Sequence, residues 1–161
     1  IISDVDEYYC EILDESGDIE GNFVMDGNPT PGRQVSYGIE LRGGEGRNVL
    51  LGTSLNDTIT GGPHHDALIG RGGNDTLNGG KGDDSFIPFS ANSNTPGIVK
   101  AYGGEGFDRA YMQNNKSDYD IENTCSTTRC VVSKSGGGAT AELFEMEQLV
   151  FKNQKCRPQD C

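Results

Sequence analysis

Residues 43–87 read GGEGRNVLL GTSLNDTIT GGPHHDALI GRGGNDTLN GGKGDDSFI, five nonapeptides that follow one another without a break. The eighth place is always large and apolar: Leu50, Ile59, Leu68, Leu77 and Phe86. The sixth is Asn48, Asp57, Asp66, Asp75 and Asp84, and the stretch holds 12 of the chain's 24 glycines. A sixth copy, GGEGFDRAY at residues 103–111, restores the glycines and Asp108 but puts Ala110 in the apolar place. A fixed nine-residue period with one inward residue per copy predicts a solenoid, each copy a turn plus a short strand.

The turns explain the glycines. Small residues let the backbone take positive φ and aim several carbonyl oxygens at one centre. The Asp that closes each turn adds an anionic oxygen, a donor set suited to a hard cation, Ca²⁺ above all. Successive turns fall on opposite edges of the coil, so neighbours on one edge lie 18 residues apart. One edge is expected to stack Asn48, Asp66 and Asp84, the other Asp57 and Asp75. Carboxylates held one strand spacing apart (~4.8 Å) repel unless cations bridge them, so folding is expected to be linked to metal binding.

The pattern resembles the RTX family of calcium-binding nonapeptide repeats, GGxGxDxUx. The six copies match its glycine, Asp and apolar places in 24 of 30 positions. The resemblance implies an all-β fold, a right-handed parallel β-roll with N-terminal and C-terminal caps, and Ca²⁺ held between each turn and the turn two repeats on. Carried onto this sequence, the metal-binding residues would be Asp57, Asp66, Asp75, Asp84 and Asp108, with Asn48 as a neutral sixth-place ligand and turns containing Gly61, Gly70, Gly72, Gly79, Gly80, Gly82 and Gly103. Similarity extends from Gly38 to Lys152. Within it Ser117–Ile121 reads as part of a strand pair, Ala141–Phe144 as a helical turn, and Glu145–Phe151 as similar to the family's usual N-V-E-x-L-x-F ending.

Departures from the motif are informative. Asn48 replaces an anionic ligand, so its site should be weak or empty. Thr53 and Arg71 occupy second places, and Leu55 and His64 fourth places, where glycine is usual. After Ile87 the frame slips: Gly79 and Gly103 are 24 residues apart, so Pro88–Gly97 reads as a surface loop. Between three and five bound ions are expected.

Charge and cysteines bound the rest. Lys and Arg number 13 against 25 Asp and Glu, a net charge of −12 that excludes a basic nucleic-acid binder. No apolar run reaches the ~18 residues of a membrane helix, so membrane insertion is not expected. Residues 1–42 carry ten acids and two arginines and read as an acidic cap, with Phe23–Met25 and Tyr37–Leu41 as strands broken by the turn-rich Asn28–Gly32. The roll spans 43–111 with its loop at 88–97, and 112–161 forms a C-terminal strand cap with disulfide loops. Cys125/Cys130 and Cys156/Cys161 share the spacing C-x4-C and are read as two disulfides, the alternative being a four-thiolate zinc site; Cys10 is left odd. Such usage implies an oxidising compartment, hence a secreted, extracellular protein. The opening Ile1-Ile2-Ser3-Asp4 implies a mature or excised form.

No catalytic constellation stands out, and an enzyme is not expected. His64-His65 lacks a third histidine and reads as a structural or surface pair; Asn56, Asn74 and Asn115 fit the N-glycosylation pattern, the first two as ordinary repeat wording. The expected function is a secreted calcium-binding structural domain that Ca²⁺ folds after export, with self-assembly into a filament, sheath or surface layer. Alternatives are a polysaccharide- or surface-binding module, with Tyr102, Tyr111 and Tyr119 as candidate platform, or the C-terminal fragment of a secreted toxin or protease.

Overall fold

A computed structural model describes residue 38, residues 40–89 and residues 96–161. The acidic segment before these, including Phe23–Met25 and Cys10, and residues 90–95 of the expected loop lie outside the described residues.

Strands alternate between two sheets because each nonapeptide supplies one strand and one reversal. In chain order they are β1 (Glu40–Arg42), β2 (Val49–Leu51), β3 (Thr58–Gly62), β4 (Ala67–Ile69), β5 (Thr76–Lys81), β6 (Ser85–Ile87), β7 (Gly97–Glu105), β8 (Arg109–Met112), β9 (Tyr119–Ile121), β10 (Cys130–Lys134), β11 (Ala139–Phe144), β12 (Gln148–Phe151) and β13 (Lys155–Cys156). One sheet runs β1-β3-β5-β7-β11-β10-β9 and the other β13-β12-β8-β6-β4-β2. Pairing is parallel from β1 through β11 and from β2 through β12. The strands that follow, β10, β9 and β13, join antiparallel, so both sheets are mixed. Strand β1 belongs to the parallel stack although its residues fall within the acidic 1–42 segment.

Register stacks the inward residues in two rows. Leu41, Ile59, Leu77, Ala101 and Leu143 line one sheet. Leu50, Leu68, Phe86, Ala110 and Leu149 line the other. All are buried and belong to one apolar cluster. Phe86 sits beside the small Ala110, so a large side chain and a small one share the narrow core. Burying these rows is an apolar driving force, to which Phe89, Met112, Val132, Met146 and Phe151 of the same cluster add.

The 24-residue step is one ordinary circuit of the coil plus six residues. Ile59 faces Leu77, 18 residues on, whereas Leu77 faces Ala101 and Phe86 faces Ala110, each 24 on. The extra residues lie between β6 and β7 and leave the stack in register. A second excursion, residues 113–138, carries a 3₁₀ turn at Lys116–Asp118 and the β9–β10 pair before β11 resumes the stack.

The helical turn expected at Ala141–Phe144 is instead strand β11. Ala139, Ala141 and Leu143 are buried at a period of two, and the backbone continues the ladder of β7, which outweighs the helix propensity of Ala, Glu and Leu. The two cysteine pairs form disulfides, Cys125–Cys130 and Cys156–Cys161, which removes the four-thiolate zinc alternative.

Candidate metal centre

The sixth-place side chains form ladders along the two edges of the stack. On one edge the N–H of Asn48 donates to Asp66 Oδ1 at 2.8 Å, that of Asp66 to Asp84 Oδ1 at 2.7 Å, and that of Asp84 to Asp108 Oδ1 at 2.8 Å. On the other, the Asp57 N–H donates to Asp75 Oδ1 at 2.9 Å. Asn48, Asp57, Asp66, Asp75, Asp84 and Asp108 are all buried. One carboxylate oxygen of each rung is thus used by the backbone of the rung before it.

The other oxygen is the unusual one. Oδ2 of Asp66, Asp75, Asp84 and Asp108 is buried with no hydrogen-bond partner. An ionised carboxylate is costly to bury half-satisfied. Burial is the largest influence on each and pushes the carboxyls up: Asp75 to about 7, Asp84 to about 8, Asp108 to about 6, and Asp66 also upward. Backbone N–H groups oppose this, and neighbouring carboxylates reinforce it at Asp75, Asp84 and Asp108.

The first-place glycines keep room beside that oxygen. A Cβ on Gly61 would lie 2.5 Å from both Asp66 Oδ2 and the Gly79 carbonyl. One on Gly70 would meet the Pro88 carbonyl at 2.6 Å and Asp75 Oδ2 at 2.7 Å. Gly79 stands likewise against Asp84 Oδ2 and the Gly103 carbonyl, and Gly103 against Asp108 Oδ2 and the Glu145 carbonyl. Each carboxylate therefore faces a carbonyl of the next turn on its edge. Gly80 and Gly82 both take φ of +109°, and a Cβ on Gly80 would strike the Gly62 carbonyl. Gly72 has no such neighbour; the nearest atom to its Cβ position is Ser54 Cα at 3.9 Å.

This donor set is all oxygen, one carboxylate per turn with backbone carbonyls. Among the described residues no three His, Cys, Asp or Glu side chains group to hold a metal. A cation here must draw on carbonyls, which suits Ca²⁺ and not a softer ion. Residues 42–77 and 60–87 match the family model for the RTX calcium-binding nonapeptide repeat, in four copies. The repeat segment thus resembles an RTX calcium-binding array. No curated protein matches the chain.

The stack continues past the matched residues, and one ladder residue escaped the sequence reading. The Asp108 N–H donates to Glu147 Oε2 at 2.7 Å, so Glu147 occupies the next rung. Its turn is short: six residues separate the paired Tyr102 and Arg109, but only three separate Phe144 and Gln148. Glutamate's extra methylene spans the gap. An acid followed by apolar residues at alternate places, Glu147, Leu149 and Phe151, was the available signal. On the other edge Val99 aligns with Asp75, and the row of acids stops there.

A second, exposed ladder runs through the fifth places and was also missed. Asn56 Oδ1 accepts the Asn74 N–H and Asn74 Oδ1 the Ile98 N–H, both at 2.8 Å. His65 Nδ1 accepts the Asp83 N–H at 2.9 Å, which gives one of the exposed histidines a structural role. The three tyrosines considered as a platform do not share a face. Tyr119 is buried, Tyr111 stands on the outer side of β8, and Tyr102 stacks on Phe144 with centroids 4.8 Å apart.

Replacing Asp66 or Asp75 with Ala removes an orphaned oxygen and the acceptor of a buried N–H, a cost of about 1–3 kcal/mol before any metal is counted. Asp120, exposed on β9, is the control. Calcium-dependent unfolding midpoints are expected to fall for Asp66→Ala and Asp75→Ala and to stay near wild type for Asp120→Ala. Equal shifts would contradict the ligand geometry.

Proposed function

We propose that the chain is a secreted, calcium-binding structural domain: a right-handed roll, capped by its C-terminal strands, that sets when it meets Ca²⁺ outside the cell. The observation that carries this is the set of four buried Asp Oδ2 atoms with no partner, each facing a carbonyl of the next turn. Ca²⁺ would supply the positive charge that these oxygens lack. This chain's part is to hold the oxygens at fixed spacing through the backbone ladders and to keep Cβ atoms away from them. The two disulfides support an oxidising destination. No helix among the described residues is long and apolar enough to cross a membrane.

A domain that is to stay unset in the cytoplasm must bind weakly. Half-saturation is expected at about 0.1–1 mM Ca²⁺, the range of extracellular modules. Equilibrium binding in Mg²⁺-containing buffer measures it, and sub-micromolar affinity would remove the compartment switch. Self-assembly is supported by β1 and β2, each at the end of its sheet among the described residues, and by the odd cysteine count. Sedimentation with Ca²⁺ in oxidising buffer is expected to show species heavier than 17.3 kDa. A strict monomer would leave the domain structural but not assembling.

A further inference from the structure

The two turns at the N-terminal end of the described stack differ from the four with orphaned Asp oxygens. At Asn48 the amide nitrogen takes the place that Oδ2 takes elsewhere, 2.6 Å from the Cβ position of Gly43 and so beside the first-place glycine of its own turn. It donates to the Gly46 carbonyl at 3.1 Å and to Asp66 Oδ1 at 2.8 Å; Asn48 Oδ1 is buried without a partner, but it is a neutral amide oxygen and carries no charge for an ion to offset. Positive hydrogens therefore meet oxygens where, one rung on, an anionic oxygen stands without a partner. At Asp57 the carboxylate is present but already engaged. The Thr53 N–H donates to Oδ2 at 2.5 Å, and the Thr53 hydroxyl reaches Oδ1 at 3.0 Å and Oδ2 at 3.1 Å. Thr53 fills a second place that is glycine in the turns of Asp66, Asp84 and Asp108.

We infer that the Asn48 amide and the Thr53 hydroxyl stand in for calcium ions, so that the turns of Asn48 and Asp57 close without metal while the turns of Asp66, Asp75, Asp84 and Asp108 require it. The inference rests on the calcium reading of those four turns. One neutral donor group does in each early turn what a divalent ion does later. An amide has two N–H groups and can satisfy two oxygens at once, and a hydroxyl beside a backbone N–H does the same for one carboxylate. Among the described residues these two turns thereby form a calcium-independent base on which later rungs stack.

Substitutions that remove the stand-ins should create sites. Asn48→Asp restores the anionic ligand, and Thr53→Gly removes the hydroxyl from the Asp57 carboxylate, leaving the backbone N–H, and restores the small second residue. Native mass spectrometry of the folded full chain, equilibrated with Ca²⁺, counts the ions directly. Each single variant is expected to bind one more Ca²⁺ than wild type, and the double variant two more. Each should also need more Ca²⁺ for half-maximal folding, followed by circular dichroism. Unchanged counts in variants that fold would overturn the inference while leaving the calcium reading intact. A wild-type protein that folds but takes up no Ca²⁺ would overturn both. Thr53→Ser keeps the hydroxyl and is expected to keep the wild-type count; an added ion there would also contradict the role given to the hydroxyl.

Discussion

In calcium-free buffer the protein is expected to be more stable at pH 4 than at pH 8, the reverse of the usual acid denaturation. The carboxyls of Asp75, Asp84 and Asp108 titrate near 7, 8 and 6 in the folded chain because they are buried, against about 3.8 when exposed. A folded state with raised acid pKa values binds protons more tightly than the unfolded chain does. Its stabilisation is complete below the unfolded value and is lost as pH rises through the window from about 4 to about 8. Asp66 shifts the same way and adds to the slope. With several groups acting together, the thermal midpoint of metal-stripped protein should fall by roughly 10 °C or more across that window. Saturating Ca²⁺ should invert the trend, since the ion needs the ionised form and protons then compete with it. A midpoint in stripped protein that rises with pH, or does not move, would show that the buried oxygens have another partner.

Asp84→Asn is expected to have opposite effects with and without calcium. Asp84 lies in the middle of its ladder, accepting the Asp66 N–H on Oδ1 and donating its own N–H to Asp108, while Oδ2 has no partner. An amide keeps Oδ1 as acceptor, so the ladder survives. It replaces a lone buried anion with a neutral donor, the arrangement already present at Asn48. Calcium-free protein at pH 8 should gain about 1–3 kcal/mol, the usual worth of relieving a buried unsatisfied group. Calcium-loaded protein should lose one bound ion and unfold at lower temperature than loaded wild type. Asp84→Ala would instead be destabilised in both states, because the buried Asp66 N–H loses its acceptor at about 1–3 kcal/mol. Urea unfolding of the three proteins in Ca²⁺, and circular dichroism in chelator at pH 8 as a stabilising osmolyte is raised to fold each chain, separate these outcomes. An Asp84→Asn protein weaker than wild type in chelator would mean that the charge is neutralised by something other than a metal.

The period of nine made most of the stack legible in advance. A large side chain at Leu50, Ile59, Leu68, Leu77 and Phe86 leaves one way to bury them, as alternating inward rows, and the strands follow. What lay outside the period was harder. Ala141–Phe144 has helix-forming residues, and only its place beside β7 makes it a strand. Glu147 continues the ladder through a turn three residues short, which no repeat count reveals. Thr53 read only as a flaw in a glycine turn, since its engagement of Asp57 depends on the backbone path that brings residues four apart face to face. The exposed fifth-place ladder was hidden because Asn, His and Asp share no motif, only an acceptor atom at the same height.

The central claim is that calcium, and not the disulfides or the apolar rows alone, closes the roll at neutral pH. Far-UV circular dichroism, with light scattering on the same samples, tests it most directly when Ca²⁺ is titrated into chelator-treated protein at pH 7.5, with Mg²⁺ in parallel. The account predicts a cooperative gain of β signal with Ca²⁺ and none with Mg²⁺, complete at millimolar concentration. A full β spectrum in chelator that Ca²⁺ leaves unchanged would contradict it.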